Sequence, residues 1–168
     1  MTKVAIMQPT YLPWIGYFAL MMTSDIFIFL DNVQFEKRSW QQRNKIKTKN
    51  GDLLLSVPVI TKNKYHQNIN EVMINNKEDF KKKHLRALKL NYNKSKFFNN
   101  YEVELTNIYN KKHQKLIELN YDLIHWIREK LNIKTKLLKS SDFKKKGNKD
   151  ALIANLVDQV NSKNYLFT

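Results

Sequence analysis

A short stretch near the start of the chain gathers residue types that bind flat, partly polar ligands. Residues 7–18 read MQPTYLPWIGYF and hold two of the three prolines and one of the three glycines. Their aromatic rings suit a sugar or a nucleobase, and a glycine at a helix start allows close approach of an anion. The candidate substrate contacts here are Gln8, Tyr11, Trp14, Gly16 and Tyr17. A buried aromatic corner without a ligand is the equally open alternative.

A second polar cluster follows the apolar run IFIFL. Residues 31–44 read DNVQFEKRSWQQRN, a composition that can pair with phosphate oxygens and bind sugar hydroxyls. The candidate substrate contacts in it are Gln34, Lys37, Trp40, Arg43 and Asn44. Asp31, at the end of the run, is the candidate general base or anchor for a substrate hydroxyl. The structural alternative is that Asp31 caps a turn and that ion pairs form between two arginines and two carboxylates: Arg38, Arg43, Glu36 and Asp52.

Histidine is the other possible source of acid–base chemistry, and the chain has His66, His84, His113 and His125. No pair has a metal-ligand spacing with acidic neighbours, so we predict no metal site and no cofactor. His84 falls on the apolar stripe of a predicted helix, where a histidine is more often a hydrogen-bonded core residue. If it reaches the site, it is the second catalytic candidate, because its ordinary pKa lies near neutral pH. Ser140 and Ser141 either bind phosphate or form a turn.

The elements that would position these residues follow from hydrophobic patterning. Buried strands are predicted at Lys3–Met7 and Ile26–Leu30, with a helix at Trp14–Met22 between them, which outlines a βαβ unit. Asn50-Gly51 lies between two alternating segments and predicts a hairpin. Helical spacing then runs through residues 77–131. The remaining predictions are strands at Ile69–Ile74, Thr135–Leu138 and Tyr165–Phe167, and a helix at Lys149–Val160 capped by Asn148.

This pattern predicts one α/β domain over residues 1–168, with a parallel-sheet core, an inserted β-hairpin and a helical segment. The first two loops would then follow neighbouring parallel strands and face one crevice, where open α/β sheets bind ligands. Residues 11–30 are apolar but interrupted by Pro13 and by Thr23-Ser24-Asp25, so we predict no membrane span. The absence of cysteine and of a signal peptide suits a cytoplasmic protein.

The net charge of +15 favours anionic partners, but its source is ambiguous. Only four of the basic residues are arginine, and lysine and asparagine share A/T-rich codons, so an AT-rich genome would produce the same composition. Specific nucleic-acid sites rely more on arginine.

Three long segments resemble one family. QPTYLPWIGYF, SDIFIFLDNVQFEKRSWQQRNKI and KHLRALKLNY, with the later KSSDF and DALIANLVDQVNSKNYL, are similar to motifs of the WbqC-like proteins of bacterial surface-polysaccharide gene clusters. The resemblance implies a role in making O-antigen or a related glycan, with transfer of an acyl or aminoacyl group to a nucleotide-linked amino sugar. Members usually continue past residue 168, which implies a C-terminally shortened member.

A weaker similarity concerns the nucleotidyltransferase-like proteins of the HUP superfamily. Residues 14–17 read WIGY where those proteins have a His-x-Gly-His motif at a helix start, so the glycine matches and both histidines are absent. This similarity implies the fold and not adenylate transfer.

Two classes of function follow. The first is an enzyme that binds a nucleotide sugar or another anionic small molecule, with an acyl carrier protein or a tRNA as donor. The second is a non-catalytic basic module that binds RNA or an acidic carrier or partner protein.

Overall fold

The computed structural model describes residues 2–167, which form two β-sheets and five α-helices. The parallel sheet contains β1 (Lys3–Met7), β2 (Ile26–Phe29), β5 (Lys136–Lys139) and β6 (Asn164–Leu166). The hairpin consists of β3 (Arg43–Thr48) and β4 (Gly51–Ser56). The helices are α1 (Ile15–Thr23), α2 (Phe80–Tyr92), α3 (Phe98–Asn110), α4 (Leu116–Lys130) and α5 (Asp150–Gln159). The predicted α/β class, with a parallel sheet, a separate hairpin and a helical segment, is confirmed.

The parallel sheet has the strand order β5-β2-β1-β6. From β1 the chain moves in one direction to β2 and β5 and then returns to the other side of β1 with β6. This reversal beside β1 is the switch point at which ligands bind in doubly wound sheets. Across the sheet, Met7 pairs with Phe29, and Phe29 pairs with Lys139, so the carboxyl ends of three strands lie in register.

Helices cover both faces of the sheet because side chains alternate along each strand. Val4 and Ile6 pack against α5, whereas Ala5 faces α1. In β2, Phe27 and Phe29 likewise face the side of α1 and α4. A second core lies between the hairpin and α2, α3 and α4.

Two local predictions were wrong. Residues 69–74 form a 3-10 helix, Ile69–Glu71, followed by single bridges at Met73 and Ile74, because the backbone of this segment bonds to several separate loops instead of one strand. The N-cap of α5 is Lys149 with a φ of 49° and no side-chain cap bond, so Asn148 does not cap the helix. Within residues 2–167 no helix combines the length and apolarity needed to cross a bilayer.

Candidate functional site

Two loops meet at the carboxyl edge of the parallel sheet. We call residues 8–14 the aromatic loop and residues 31–42 the basic loop. Gln41 Nε2 donates to Gln8 Oε1 at 2.8 Å, and the Tyr11 N–H donates to the Trp40 carbonyl at 3.0 Å. One side-chain hydrogen bond and one backbone hydrogen bond therefore join the two loops, so residues of both loops lie around one region.

The buried side-chain amide of Asn120, on α4, hydrogen-bonds to both loops. Asn120 is fully buried, and its Nδ2 donates to the carbonyl of Pro9 at 3.2 Å and to that of Gln41 at 2.9 Å. Each of these backbone oxygens would otherwise be buried without a partner, at a cost of about 1–3 kcal/mol. The relative position of the loops thus depends on the docking of α4.

Between the loops lies a cleft of about 420 Å³, which we call the tryptophan cleft. Its lining residues are Met7, Thr10, Pro13, Trp14, Tyr17, Trp40 and Asn44. Trp14 is 56% exposed and Trp40 is 54% exposed, although tryptophan is usually far more buried. Two exposed indoles beside a mainly apolar cleft of this size are typical of a small-molecule site.

Gly16 explains how the Trp14 ring comes to lie at the start of α1. A Cβ built on Gly16 would be 1.7 Å from the nearest atom of the Trp14 six-membered ring. The missing side chain therefore leaves the space that the indole occupies. In this structure Gly16 shapes the cleft through Trp14 and is not itself a lining residue.

The polar groups of the tryptophan cleft differ in whether the protein already satisfies their hydrogen bonds. Asn44 is occupied, because its Nδ2 donates to the Leu12 carbonyl and its Oδ1 accepts from the Lys45 N–H at 2.7 Å. Tyr17 is fully buried, and within residues 2–167 its hydroxyl has no hydrogen-bond partner. Burial, and secondarily the nearby Tyr121, raises the pKa of Tyr17, so this hydroxyl is a neutral donor and acceptor.

Asp31 is buried and saturated with hydrogen bonds. Its Oδ1 accepts from the Ser140 hydroxyl and the Ser141 N–H, both at 2.9 Å. Its Oδ2 accepts from the Ser141 hydroxyl at 2.8 Å and from the Tyr121 hydroxyl at 3.3 Å. The carboxylate therefore ties the end of β2 to the turn after β5. In this state its lone pairs are engaged by the protein, and it lies outside the lining of the tryptophan cleft.

His84 lies in the second core, away from that cleft. Only 5% of the residue is exposed, and Nδ1 is 2.7 Å from the Tyr11 hydroxyl, which is itself bonded to the Tyr109 hydroxyl. Burial lowers the pKa of His84 to about 4, against the opposing effect of a hydrogen bond with the Ser56 backbone. The structure places His84 and Tyr11 together in a buried polar chain that lacks an exposed ring face.

Three other predicted contacts lie outside the lining of the tryptophan cleft. Gln34 Nε2 donates to the Tyr65 carbonyl at 3.3 Å, and Lys37 Nζ is 5.6 Å from the centroid of the Tyr65 ring. Arg43 begins β3 and is partly buried. The alternative prediction of ion pairs of Arg38 and Arg43 with Glu36 and Asp52 was wrong: within residues 2–167 no arginine is in an ion pair, and Asp52 pairs with Lys45 at 3.3 Å.

Sequence reasoning missed several residues of this edge. Met7, Thr10 and Pro13 line the tryptophan cleft, and the sequence signal that could have pointed to them is their place in the segment 7–18. The partners of Asp31 are about 90 or more positions away and carry no motif. In the described part of the chain, no three His, Asp or Glu side chains lie close enough to share a metal ion.

Comparisons with known proteins identify a family and a curated relative. A family model described as the WbqC-like protein family matches residues 8–168. The chain is also 40% identical, over 167 residues, to an uncharacterized protein of Mycobacterium tuberculosis, Rv1507c. That alignment takes in 99% of this chain and 72% of the relative. No solved structure matches.

Proposed function

Because the chain belongs to the WbqC-like protein family, we propose that it acts in the biosynthesis of a bacterial surface polysaccharide and binds a nucleotide-linked sugar. The sugar ring lies in the tryptophan cleft, between the indoles of Trp14 and Trp40. The observation that carries this proposal is the pair of half-exposed indoles on two loops that the protein joins by hydrogen bonds. The apolar face of a pyranose stacks on such rings, while its hydroxyl groups stay in reach of polar neighbours.

The reaction we propose is transfer of an acyl or aminoacyl group to an amino sugar. The neutral amine attacks the acyl carbonyl, an amide bond forms, and the donor thiol or alcohol leaves with a proton. The described residues that line the tryptophan cleft include no carboxylate to stabilise an ammonium group, which favours the neutral, nucleophilic amine. A net charge of +15 also suits a donor carried by an acidic protein or a tRNA.

The test is binding of nucleotide sugars by calorimetry and thermal shift, with Trp14→Ala and Trp40→Ala as the altered proteins. Stacking on one indole contributes about 1 kcal/mol, so each substitution should weaken binding ~5-fold. Phe97→Ala is the matched control, because Phe97 is 55% exposed and lies outside the tryptophan cleft. It should bind as the wild type does.

Two results would contradict the proposal. The first is the absence of binding by every nucleotide sugar of a panel that includes amino sugars. The second is equal binding by the two tryptophan variants and the wild type. Substantial RNA binding at physiological salt, together with the first result, would support the basic-module alternative.

A further inference from the structure

A pair of lysine side chains lies at the same sheet edge, beyond Asp31. Lys139 is the last residue of β5, and its Nζ is 5.1 Å from the centroid of the Tyr121 ring. Lys145 Nζ donates to the Asn32 carbonyl at 3.1 Å, which places this ammonium group just past the end of β2. Both side chains are exposed, and neither is in an ion pair within residues 2–167.

The sheet register sets the distance between these lysines and the tryptophan cleft. Met7, in the cleft wall, pairs with Phe29, and Phe29 pairs with Lys139. Neighbouring strands are about 4.8 Å apart, so the backbone of Lys139 lies ~10 Å from that of Met7. A ligand that fills the cleft therefore needs only a short extension along the edge to meet a lysine side chain.

The ammonium groups are not needed to balance the buried carboxylate beside them. Asp31 already accepts four hydrogen bonds from Ser140, Ser141 and Tyr121. Among the exposed residues of this turn, Asp142 carries the one negative charge, against the positive charges of Lys139 and residues 144–146. The local charge remains positive and accessible, as a binding site for an anion requires.

We propose that Lys139 and Lys145 bind the diphosphate of the nucleotide sugar whose sugar ring occupies the tryptophan cleft. This inference rests on the proposed function and adds a second subsite to it. It places the phosphates past the ends of β2 and β5, in the crevice outside the carboxyl ends of the strands. Lysine serves such a site as a flexible point charge, which tolerates either phosphate of the pair.

The experiment measures, at fixed salt, the affinities of the protein for uridine diphosphate N-acetylglucosamine, inorganic pyrophosphate and free N-acetylglucosamine. The free sugar is tested at millimolar concentrations. Lys139→Ala and Lys145→Ala should each weaken binding of the first two ligands ~10-fold or more, as loss of one charge-assisted contact predicts. Binding of the free sugar should stay unchanged. Lys136→Ala, at the opposite end of β5 and with the same loss of charge, should behave as the wild type.

Three other results would overturn the inference, and they differ in what they say of the proposed function. Wild-type binding by both lysine variants overturns the inference, while the proposed function stands if the tryptophan variants still lose affinity. An equal loss in Lys136→Ala also overturns it, because overall charge would then explain the effect. Failure of the wild type to bind any nucleotide sugar of the panel that includes amino sugars refutes the proposed function and the inference together.

Discussion

Replacement of Asp31 by asparagine separates a structural role from a catalytic one. The carboxylate accepts four hydrogen bonds, and asparagine keeps one acceptor oxygen but presents an NH₂ group in place of the other. Loss of the charge weakens the two bonds to Oδ1 by about 1 kcal/mol in total. Both hydroxyl groups on Oδ2 lose their acceptor, but Ser141 is exposed and its hydroxyl can turn to water, so the loss falls on the Tyr121 hydroxyl and costs a further ~1–3 kcal/mol. The free energy of unfolding should therefore fall by about 2–4 kcal/mol.

Urea unfolding followed by circular dichroism measures this loss. With a slope of about 2 kcal/mol/M, the midpoint should move down by ~1–2 M. Asp142→Asn is the control, because that carboxylate is exposed in the same turn, and its effect should stay within about 0.5 kcal/mol. If Asp31→Asn is as stable as the wild type and still loses nucleotide-sugar turnover, the structural reasoning is refuted and Asp31 is the general base.

Two other substitutions test two further buried polar groups, the His84 imidazole and the Tyr17 hydroxyl. Burial lowers the pKa of His84 from 6.5 to about 4, so the unfolded chain binds more protons between these values and stability falls as the pH falls through them. Urea titrations from pH 7 down to pH 4 should show a loss about 3 kcal/mol larger for the wild type than for His84→Gln, and equal losses would contradict the assignment. The Tyr17 hydroxyl has no hydrogen-bond partner among residues 2–167, so Tyr17→Phe should leave the stability measured by thermal unfolding unchanged or raise it by ~1–2 kcal/mol. A loss above about 1 kcal/mol would show that the Tyr17 hydroxyl is bonded in the free protein.

The strands and helices were predictable wherever burial imposes a period on the sequence. Lys3–Met7 and Ile26–Phe29 are buried on both faces and read as short apolar runs. The hairpin follows from Asn50-Gly51, since Gly51 has a φ of 110°. A strand was wrongly predicted at residues 69–74. The apolar side chains of this segment are buried by a 3-10 turn whose backbone hydrogen bonds go to other loops, so their spacing follows neither the period of a strand nor that of a helix.

The candidate site was predictable only as far as local sequence determines it. Trp14 and Trp40 line one cleft, as expected for loops that follow neighbouring parallel strands. Burial of Tyr11 against His84 and Tyr109 depends on a core built from residues 73 and 98 positions away. The contacts of Asp31 with Ser140 and Ser141 likewise cross more than 100 positions. A single sequence carries no signal for such pairings.

The hydrogen bonds of Asn120 determine when, during folding, the tryptophan cleft can form. Its two hydrogen bonds span 111 and 79 positions, so both are formed only after long stretches of chain have closed. The aromatic and basic loops emerge from the ribosome early, yet they reach their final spacing only when α4 has docked beneath them. Non-local contacts of this kind form slowly compared with helices. The cleft therefore cannot be completed before α4 has docked, and a nascent chain that ends before α4 carries both loops without the site between them.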